Sequence, residues 1–283
     1  MNGLQETPLV SVIIPTYNRH ELVFETIESI VGQTYRNTEL IVVSDGYDDV
    51  LKTAIQDKNF EKKIRFFEIN HTGNPARARN VGIYVANGDF IAFCDDDDIW
   101  RADKLELQMA EFIKSDACLC YSNMSRFNEK GQYQAQSAEN TFHAITFKEL
   151  LYRNTVPVSS ILIKKQYVKD LGGFEESLSL GGSEDFEFLL RWGFYCPFVH
   201  INENLVMYRS GENRMTPIDG KLKATDTLKY LYNIFMSYYF VYCKTNVRLG
   251  VFIKPYFVNL YRAIKMLAYN KFRKKNKNSP HPV

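Results

Sequence analysis

Two runs of apolar, β-branched residues near the start of the chain each lead into a polar loop. Residues 9–14 read LVSVII and stop at Pro15, and residues 39–46 read ELIVVSDG. Continuous apolar runs of this length, bounded by turn residues, predict buried strands. Both strands are therefore expected to end in loops that carry polar side chains.

The segment between these strands has the spacing of a helix. Phe24, Ile27 and Val31 recur on one helical face. Asn18, with Glu21 three residues later, predicts a capping box at the start of that helix. The order strand, loop, helix, strand is the repeating unit of a parallel sheet with helices on its faces.

The same alternation continues along the chain. Residues 63–70 (KIRFFEIN) predict a third strand, 76–88 (ARARNVGIYVANG) a helix, 89–94 (DFIAFC) a fourth strand and 102–114 (ADKLELQMAEFIK) a further helix. Each polar cluster then follows the carboxyl end of a strand. In open α/β sheets that edge is where ligands bind.

The rest of the chain divides in two by composition. Strand-like ACLCYSNM and VSSILIKK flank a polar stretch, and SEDFEFLLRWG predicts a helix after a Gly-rich loop. Beyond about residue 220 aromatic residues are mixed with lysine and arginine. We place a boundary at Pro217, which gives a catalytic domain over 1–217 and a helical C-terminal extension over 218–283.

Composition and cysteine content narrow the class of protein. With 45% hydrophobic and 24% charged residues, the chain is an ordinary globular one. The five cysteines have no metal-site spacing, so we expect reduced thiols and a cytoplasmic protein. The sequence predicts neither a secretory signal nor a spanning helix, since no stretch of 18 uninterrupted apolar residues occurs.

Four consecutive aspartates, Asp95 to Asp98, follow the fourth predicted strand. Like charges this close raise one another's pKa unless a cation compensates them. If the strand continued, Asp95 and Asp97 would share one side and Asp96 would face the other. A solvated acidic turn is the simpler interpretation, but the position at a strand end favours a site for Mg²⁺ or Mn²⁺ with a substrate phosphate.

Two other strand ends carry residues that suit a nucleotide. Tyr17 could stack on a flat ring, and Asp45 could accept from a ring N–H or a ribose hydroxyl. Arg77 and Arg79, at a predicted helix start, suit phosphate oxygens. The alternatives are a core tyrosine, a turn aspartate and surface arginines.

Glu184 and Asp185 are predicted in the first turn of a helix, where the helix dipole favours an anion. A carboxylate there can act as a general base if it reaches the proton that it removes. Helix capping without any catalytic role is the alternative.

With these clusters in this order, the chain resembles the family-two, inverting, nucleotide-sugar glycosyltransferases of the GT-A fold. The resemblance is carried, over roughly residues 9–215, by VSVIIPTYNR, SIVGQTYRNTELIVVSDG, ARARNVGIYVANGDFIAFCDDDDIW, SSILIKKQYVKDLGGFEE and SEDFEFLLRWG. It implies an α/β GT-A fold, with a Rossmann-like, mostly parallel sheet flanked by helices. It also implies a hexosyltransferase-type enzyme that uses a nucleotide-diphosphate sugar, which we expect to be UDP-linked, with Mn²⁺ or Mg²⁺.

The resemblance also implies roles for individual residues. Asp97, with Asp95, would hold the metal, and Asp185, with Glu184 beside it, would be the catalytic base. Contacts to the nucleotide sugar are expected from Pro15, Thr16, Tyr17, Arg19, Asp45, Arg79, Asp96 and Arg209. Two positions depart from the family pattern, because Ser44 replaces a first acid and Gly211 stands where a metal-binding histidine is common.

Three other functions fit parts of the sequence. A nucleotidyltransferase would need a Gly-rich, basic loop after the first strand, where this chain has PTYNR. A GT-A-like carbohydrate-binding or scaffold protein without turnover is favoured by the missing histidine and opposed by Asp97 and Asp185. A phosphatase could use an aspartate of the D-x-D pattern in this run as its nucleophile, but the sequence shows none of the other residues that such an enzyme would need.

The C-terminal extension suggests partners. Its aromatic and basic residues suit either a membrane surface, on the inner face of the cell membrane, or packing on the catalytic domain or a second subunit. No nucleic-acid module accompanies the basic residues. The family resemblance implies a saccharide or lipid-linked saccharide acceptor, as in bacterial surface polysaccharide or glycan synthesis.

Overall fold

The computed structural model describes residues 7–57, 64–128, 133–134, 144–177, 183–210, 224–261 and 263. Strands in these residues are β1 Val10–Thr16, β2 Thr38–Asp45, β3 Ile64–Ile69, β4 Phe90–Phe93, β5 Ile99–Trp100, β6 Leu119–Asn128, β7 Tyr133–Gln134, β8 Leu162–Lys164 and β9 Phe198–Ser210. Helices are α1 His20–Val31, α2 Asp49–Asp57, α3 Pro75–Val85, α4 Lys104–Phe112, α5 Phe147–Leu150, α6 Val168–Leu171, α7 Glu184–Tyr195, α8 Ala224–Lys244 and α9 250–261.

The first half of the sheet is parallel. Strands run in the order β3-β2-β1-β4, and all three neighbouring pairs are parallel. These strands alternate with α1, α2 and α3, as the apolar pattern predicts, although α2 was not predicted. Their carboxyl ends therefore lie along one edge.

The second half of the sheet is mixed. β8 pairs antiparallel with β4 and β6, β9 is parallel to β6, and β5 pairs antiparallel with β9. The two-residue strand β5 follows the aspartate run directly. The pairing of β5 with β9 thus fixes the far side of the aspartate turn to the sheet.

Each face of the sheet has its own hydrophobic core. Ile13 and Ile41 pack on the face covered by α3, α7 and α8, whereas Val12 and Val42 pack on the face covered by α1, α2 and α4. The alternation along β1 and β2 is that of strands buried on both faces. The described part of the C-terminal extension shares the first of these cores, and the predicted boundary at Pro217 lies outside the described residues.

The predicted capping box at α1 is wrong. The helix begins at His20, after Arg19, and its cap residue makes no side-chain hydrogen bond to the helix. Asn18 adopts a left-handed conformation with φ of 51°. Asparagine tolerates this region, so Asn18 turns the loop after β1 instead of capping α1.

The cysteines are not all free thiols, contrary to the expectation. Cys118 and Cys196 form a disulfide with their Cα atoms 6.0 Å apart, although they are 78 residues apart in sequence. Cys94 and Cys120 are buried free thiols and Cys243 is an exposed one. Spacing along the chain could not reveal this pairing, because the sheet brings the two residues together.

Across the described residues, no helix combines the length and the apolar character that crossing a membrane requires.

Candidate active site

A cavity of about 350 Å³ opens at the carboxyl ends of β1, β2 and β4, within the size range of small-molecule sites. Eleven of the residues singled out from the sequence line it: Pro15, Thr16, Tyr17, Arg19, Asp45, Arg79, Asp95, Asp96, Asp97, Glu184 and Asp185. The fold therefore brings together clusters that are up to 170 residues apart in the sequence.

The four aspartates form a turn and do not continue β4. The strand ends at Phe93, and the N–H of Asp98 donates to the carbonyl of Asp95 at 3.2 Å. The predicted alternation of side chains is therefore wrong. One guanidinium nitrogen of Arg19 donates to both Asp96 and Asp97, at 2.9 and 2.8 Å, so these two carboxylates face the same group.

Arginines from distant segments compensate the acidic turn. Arg79, buried on α3, donates to Asp95 at 2.7 Å and to Glu184 at 3.1 Å. Burial lowers the pKa of Arg79, but the Asp95 and Glu184 carboxylates outweigh burial and raise the pKa overall. Arg79 thus stays charged and links the aspartate turn to the start of α7.

Asp98 and Arg209 hold the aspartate turn in place through hydrogen bonds. The Asp98 side chain is buried and accepts from Ser159 Oγ at 2.5 Å and from the Arg209 N–H at 3.2 Å. Arg209 Nε donates to the Asp97 carbonyl at 3.0 Å, and its guanidinium also pairs with Glu25. Arg209 is not among the residues that line the cavity, and its contact with the nucleotide stays a prediction.

Burial also sets the protonation of the turn. Burial raises the pKa of Asp96 to about 6, although Arg19 and the Thr16 hydroxyl oppose the shift. Burial, together with Asp95 and Asp97, raises the pKa of Asp98 well above its usual range. Asp95 and Asp97 have the more exposed side chains, at 33% and 26%.

Tyr17 and Asp45 both line the cavity and both contact His71. The Tyr17 ring stacks on His71 with centroids 4.1 Å apart. The Asp45 carboxylate accepts from the N–H groups of Thr72 and Gly73, both at 2.8 Å, and so holds the loop after β3. Gly46, directly after β2 and at φ of 145°, lets the loop after β2 pass close to Tyr17, since a Cβ there would lie 3.3 Å from the Tyr17 ring.

Glu184 and Asp185 stand in the first turn of α7 but in different surroundings. Glu184 is buried and paired with Arg79, whereas Asp185 accepts a hydrogen bond from Asn154 Nδ2 at 3.0 Å. Burial, with the nearby Glu184, raises the pKa of Asp185 to about 7, and Arg79 opposes the shift. Asp185 is therefore poised to exchange a proton near neutral pH.

Sequence reasoning missed several residues of the site. Asn154, Tyr208 and Val158 come from irregular or late segments without a motif, and no local pattern could have found them. His71 follows a predicted strand end, which was a usable signal. Arg77 lies exposed on α3, so the surface alternative holds for it.

The fold is that of an α/β protein, with a cavity at the carboxyl ends of parallel strands that is lined by carboxylates and by arginines paired with them. Residues 11–172 match the family described as Glycosyl transferase family 2. The chain belongs to this family.

Curated relatives carry glycosyltransferase names. An uncharacterized glycosyltransferase of Rickettsia felis is 35% identical over 53% of this chain and 24% of its own length. The Escherichia coli UDP-Glc:alpha-D-GlcNAc-diphosphoundecaprenol beta-1,3-glucosyltransferase WfgD is 36% identical over 42% of this chain and 47% of its own. The chain thus spans a quarter to a half of these relatives. The putative teichuronic acid biosynthesis glycosyltransferase TuaG of Bacillus subtilis is 25% identical over 80% of this chain and 87% of its own.

Solved structures establish the fold. TarS 1–349 of Staphylococcus aureus superposes with a TM-score of 0.68 at 18% identity, over 93% of this chain and 74% of that one. The mannosyltransferase PcManGT of Pyrobaculum calidifontis, solved with GDP-Man and Mn²⁺, gives 0.65 at 15% identity, over 98% and 77%. The expected GT-A fold is confirmed.

Proposed function

We propose that the chain is an inverting glycosyltransferase that moves a sugar from a nucleotide-diphosphate sugar to a hydroxyl acceptor with the help of a divalent metal. One observation carries the proposal: the Asp95–Asp97 turn and Asp185 line the same cavity. A site for the leaving diphosphate and a group able to activate the acceptor would then lie within one substrate's reach.

The proposed nucleotide position follows from the chemistry of Tyr17 and Asp45, which both line the cavity. Tyr17 offers a flat ring for the base, and Asp45 offers carboxylate oxygens once they are released from, or shared with, the Thr72–Gly73 loop. The His71 ring stacks on the Tyr17 ring. A nucleobase that stacks on Tyr17 must therefore displace the imidazole or bind beside it. Pro15 and Thr16 would contact the nucleoside from the end of β1.

The residues of the acidic turn fit a divalent cation. Asp95 and Asp97 both line the cavity and supply hard oxygen ligands. In the described residues no three or more His, Cys, Asp or Glu side chains are arranged so that they could hold one metal ion, but Mg²⁺ needs only one or two carboxylates beside substrate phosphates. When bound, the metal would supply Lewis-acid stabilisation of the leaving diphosphate.

The arginines make metal binding depend on the nucleotide. Arg19 pairs with Asp97, so a cation that binds Asp97 must replace that ion pair. A diphosphate brings negative charge, and the Arg19 guanidinium can pair with it in place of Asp97. We therefore expect the metal and the nucleotide to bind together, while Arg79 stays fixed between Asp95 and Glu184.

Asp185 is proposed as the base. Its carboxylate would take the proton of the acceptor hydroxyl, and the oxygen would attack the anomeric carbon opposite the departing diphosphate. Glu184 is the weaker candidate, because its carboxylate is already paired with Arg79. A single displacement of this kind inverts the anomeric configuration.

The acceptor is proposed from the relatives. WfgD is named for a diphosphoundecaprenol-linked acceptor and TuaG for teichuronic acid biosynthesis. A lipid-linked saccharide in bacterial surface polysaccharide synthesis is therefore our proposed acceptor class. The UDP donor, the division at Pro217 and a cytoplasmic location stay predictions.

A donor panel tests the proposed function. The purified chain is incubated with UDP-, GDP- and dTDP-linked sugars, with and without Mn²⁺, and release of the nucleoside diphosphate is measured. The proposal requires metal-dependent release from at least one donor. Nucleotide binding without release from any donor, with saccharide acceptors supplied, would favour a binding or scaffold protein instead.

Replacing Asn154 tests whether this residue lowers the pKa of the proposed catalytic base. The Asn154 amide stabilises the ionised form of Asp185, so Asn154→Ala should raise the Asp185 pKa above its present value of about 7. Because the base acts when deprotonated, the acid limb of kcat/KM should move to higher pH. We expect roughly a fivefold loss near pH 6, as one hydrogen bond is worth about 1 kcal/mol, and little loss well above the limb.

The control for this prediction is Asn246→Ala, at an exposed position between α8 and α9. Its pH profile should match that of the parent. A uniform loss of rate at all pH values in Asn154→Ala would mean that Asn154 positions the site without tuning the base.

A further inference from the structure

The outer face of α8 carries a stripe of large apolar side chains. Tyr232, Phe235, Tyr239 and Tyr242 recur at intervals of three and four residues and are 42–52% exposed. This spacing places them on one side of the helix. The opposite side of α8 packs on the hydrophobic core.

The next helix, α9, repeats the arrangement. Leu249, just before it, and Ile253, Phe257 and Tyr261 within it follow one another at intervals of four and are 55–66% exposed. Phe252 on the inner side is buried. The two stripes on α8 and α9 together are called the C-terminal face below.

This exposure is concentrated and not scattered. Nine of the fifteen large hydrophobic residues exposed in the described part of the chain lie between residues 232 and 261. Single exposed apolar residues are ordinary, but a contiguous group marks an interaction surface.

The helices are anchored, so the exposure does not result from a loose segment. Tyr238 packs on Phe186 with ring centroids 5.9 Å apart, and its hydroxyl donates to the Leu151 carbonyl. Ile234 and Val241 join the same core. The core occupies the inner side of α8 and leaves the C-terminal face to solvent.

The charge of the C-terminal segment indicates which partner the C-terminal face would contact. Residues 227–283 contain eleven lysines and arginines and no aspartate or glutamate, so the preceding 226 residues carry a net charge of −9. Arg248 and Lys254 are exposed beside the apolar stripes. Apolar stripes in a segment whose charged residues are all basic match the acyl boundary and headgroups of an anionic bilayer.

We propose that the C-terminal face docks on the surface of an anionic lipid bilayer, with α8 and α9 lying in the plane of the interface. A second copy of the chain is the less favoured occupant, since pairing this face with itself would bring two basic segments together. The docking does not depend on the proposed glycosyltransferase activity.

Vesicle co-sedimentation of the full chain tests the docking. We expect binding to phosphatidylglycerol vesicles, weak or no binding to phosphatidylcholine vesicles, and release from phosphatidylglycerol by high salt. Ile253→Glu with Phe257→Glu should lower the affinity for phosphatidylglycerol by at least about tenfold, because apolar insertion is lost. A neutral pair, Ile253→Ser with Phe257→Ser, separates this loss from the change in charge and should also weaken binding.

The matched control is Tyr84→Glu with Ile113→Glu, two exposed apolar residues away from the C-terminal face. It makes the same change in net charge and should bind as the parent does. Thermal melts and nucleoside diphosphate release in solution, unchanged in all three double variants, would show that folding and the cavity are intact.

Three results would overturn the proposal: no binding of the parent to phosphatidylglycerol vesicles, equal binding to both lipids, or equal loss in the control. A dimer in sedimentation velocity that the Ile253→Glu, Phe257→Glu pair dissociates, without vesicle binding, would assign the face to a second copy of the chain. These results leave the donor panel unaffected, so the two proposals can fail separately.

Discussion

Replacing Asp185 with Asn is expected to lower kcat for sugar transfer by about 10²- to 10⁴-fold, the range that a positioned acid or base contributes. Asn keeps the size of the side chain and can still contact Asn154, but it cannot accept the proton of the acceptor. The affinity for the nucleotide should change little, because Asp185 is proposed to contact the acceptor and not the nucleotide. Single-turnover transfer and nucleotide titration measure the two effects separately.

The stability of the same variant gives an internal check. Because burial raises the Asp185 pKa to about 7, above the unfolded value of about 3.9, the parent loses stability as pH rises from about 4 to about 7. The amide that replaces the carboxylate does not titrate, so D185N should melt progressively higher than the parent over that range and stay higher above it. Thermal melts across this pH range measure the effect.

Two controls accompany this prediction. Asp170→Asn alters an exposed aspartate on α6 and should leave kcat unchanged. Glu184→Gln removes a partner of Arg79 and should lower kcat less than the change at Asp185 does. If D185N transferred sugar at the parent rate, or if the Glu184 variant were the slower one, the assignment of the base would be wrong.

Asp97→Ala has the second largest expected effect. It removes the carboxylate that we assign to the metal and leaves Arg19 paired with Asp96. Activity should fall by about two to three orders of magnitude, since metal stabilisation of a leaving group is worth several kcal/mol. Stabilisation of the protein by Mn²⁺ with nucleoside diphosphate should disappear in thermal melts, because linkage requires bound ligand.

The control is Asp116→Ala, an exposed aspartate after α4, which should keep both activity and metal-linked stabilisation. The parent should also lose activity in a chelator and regain it with Mn²⁺. Full activity of the parent in the chelator would remove the metal from the account.

Much of the first half of the fold is predictable because its signals are local. The apolar runs of β1, β2 and β4 end where the chain turns polar, and parallel pairing brings those ends to one edge. Tyr17, Asp45 and the aspartate turn could therefore be assigned to a common site from their order alone.

The compensation of charge was not predictable, because it depends on contacts across the sheet. The sequence led us to expect a cation to compensate the charge of the aspartates, whereas in the structure Arg19 pairs with Asp96 and Arg79 pairs with Asp95. The alternation of their side chains failed because the strand ends at Phe93. The carboxylates point toward the arginines with which they pair. They do not alternate between the two sides as they would on a continued strand.

The surroundings of the base were hidden for a similar reason. Asn154 lies 31 residues before Asp185, in a segment without periodicity. The disulfide between Cys118 and Cys196 joins residues 78 apart. A single sequence records residue types at such distances but not which of them meet.

Stereochemistry tests the central claim most directly. With a donor from the panel and an accepted saccharide, the product is followed by NMR at the anomeric proton in the presence of Mn²⁺. We expect metal-dependent transfer with inversion of the donor's anomeric configuration, and transfer by D185N that is slower by about 10²- to 10⁴-fold. Transfer with retention of configuration would contradict the claim, as would transfer at an undiminished rate without metal.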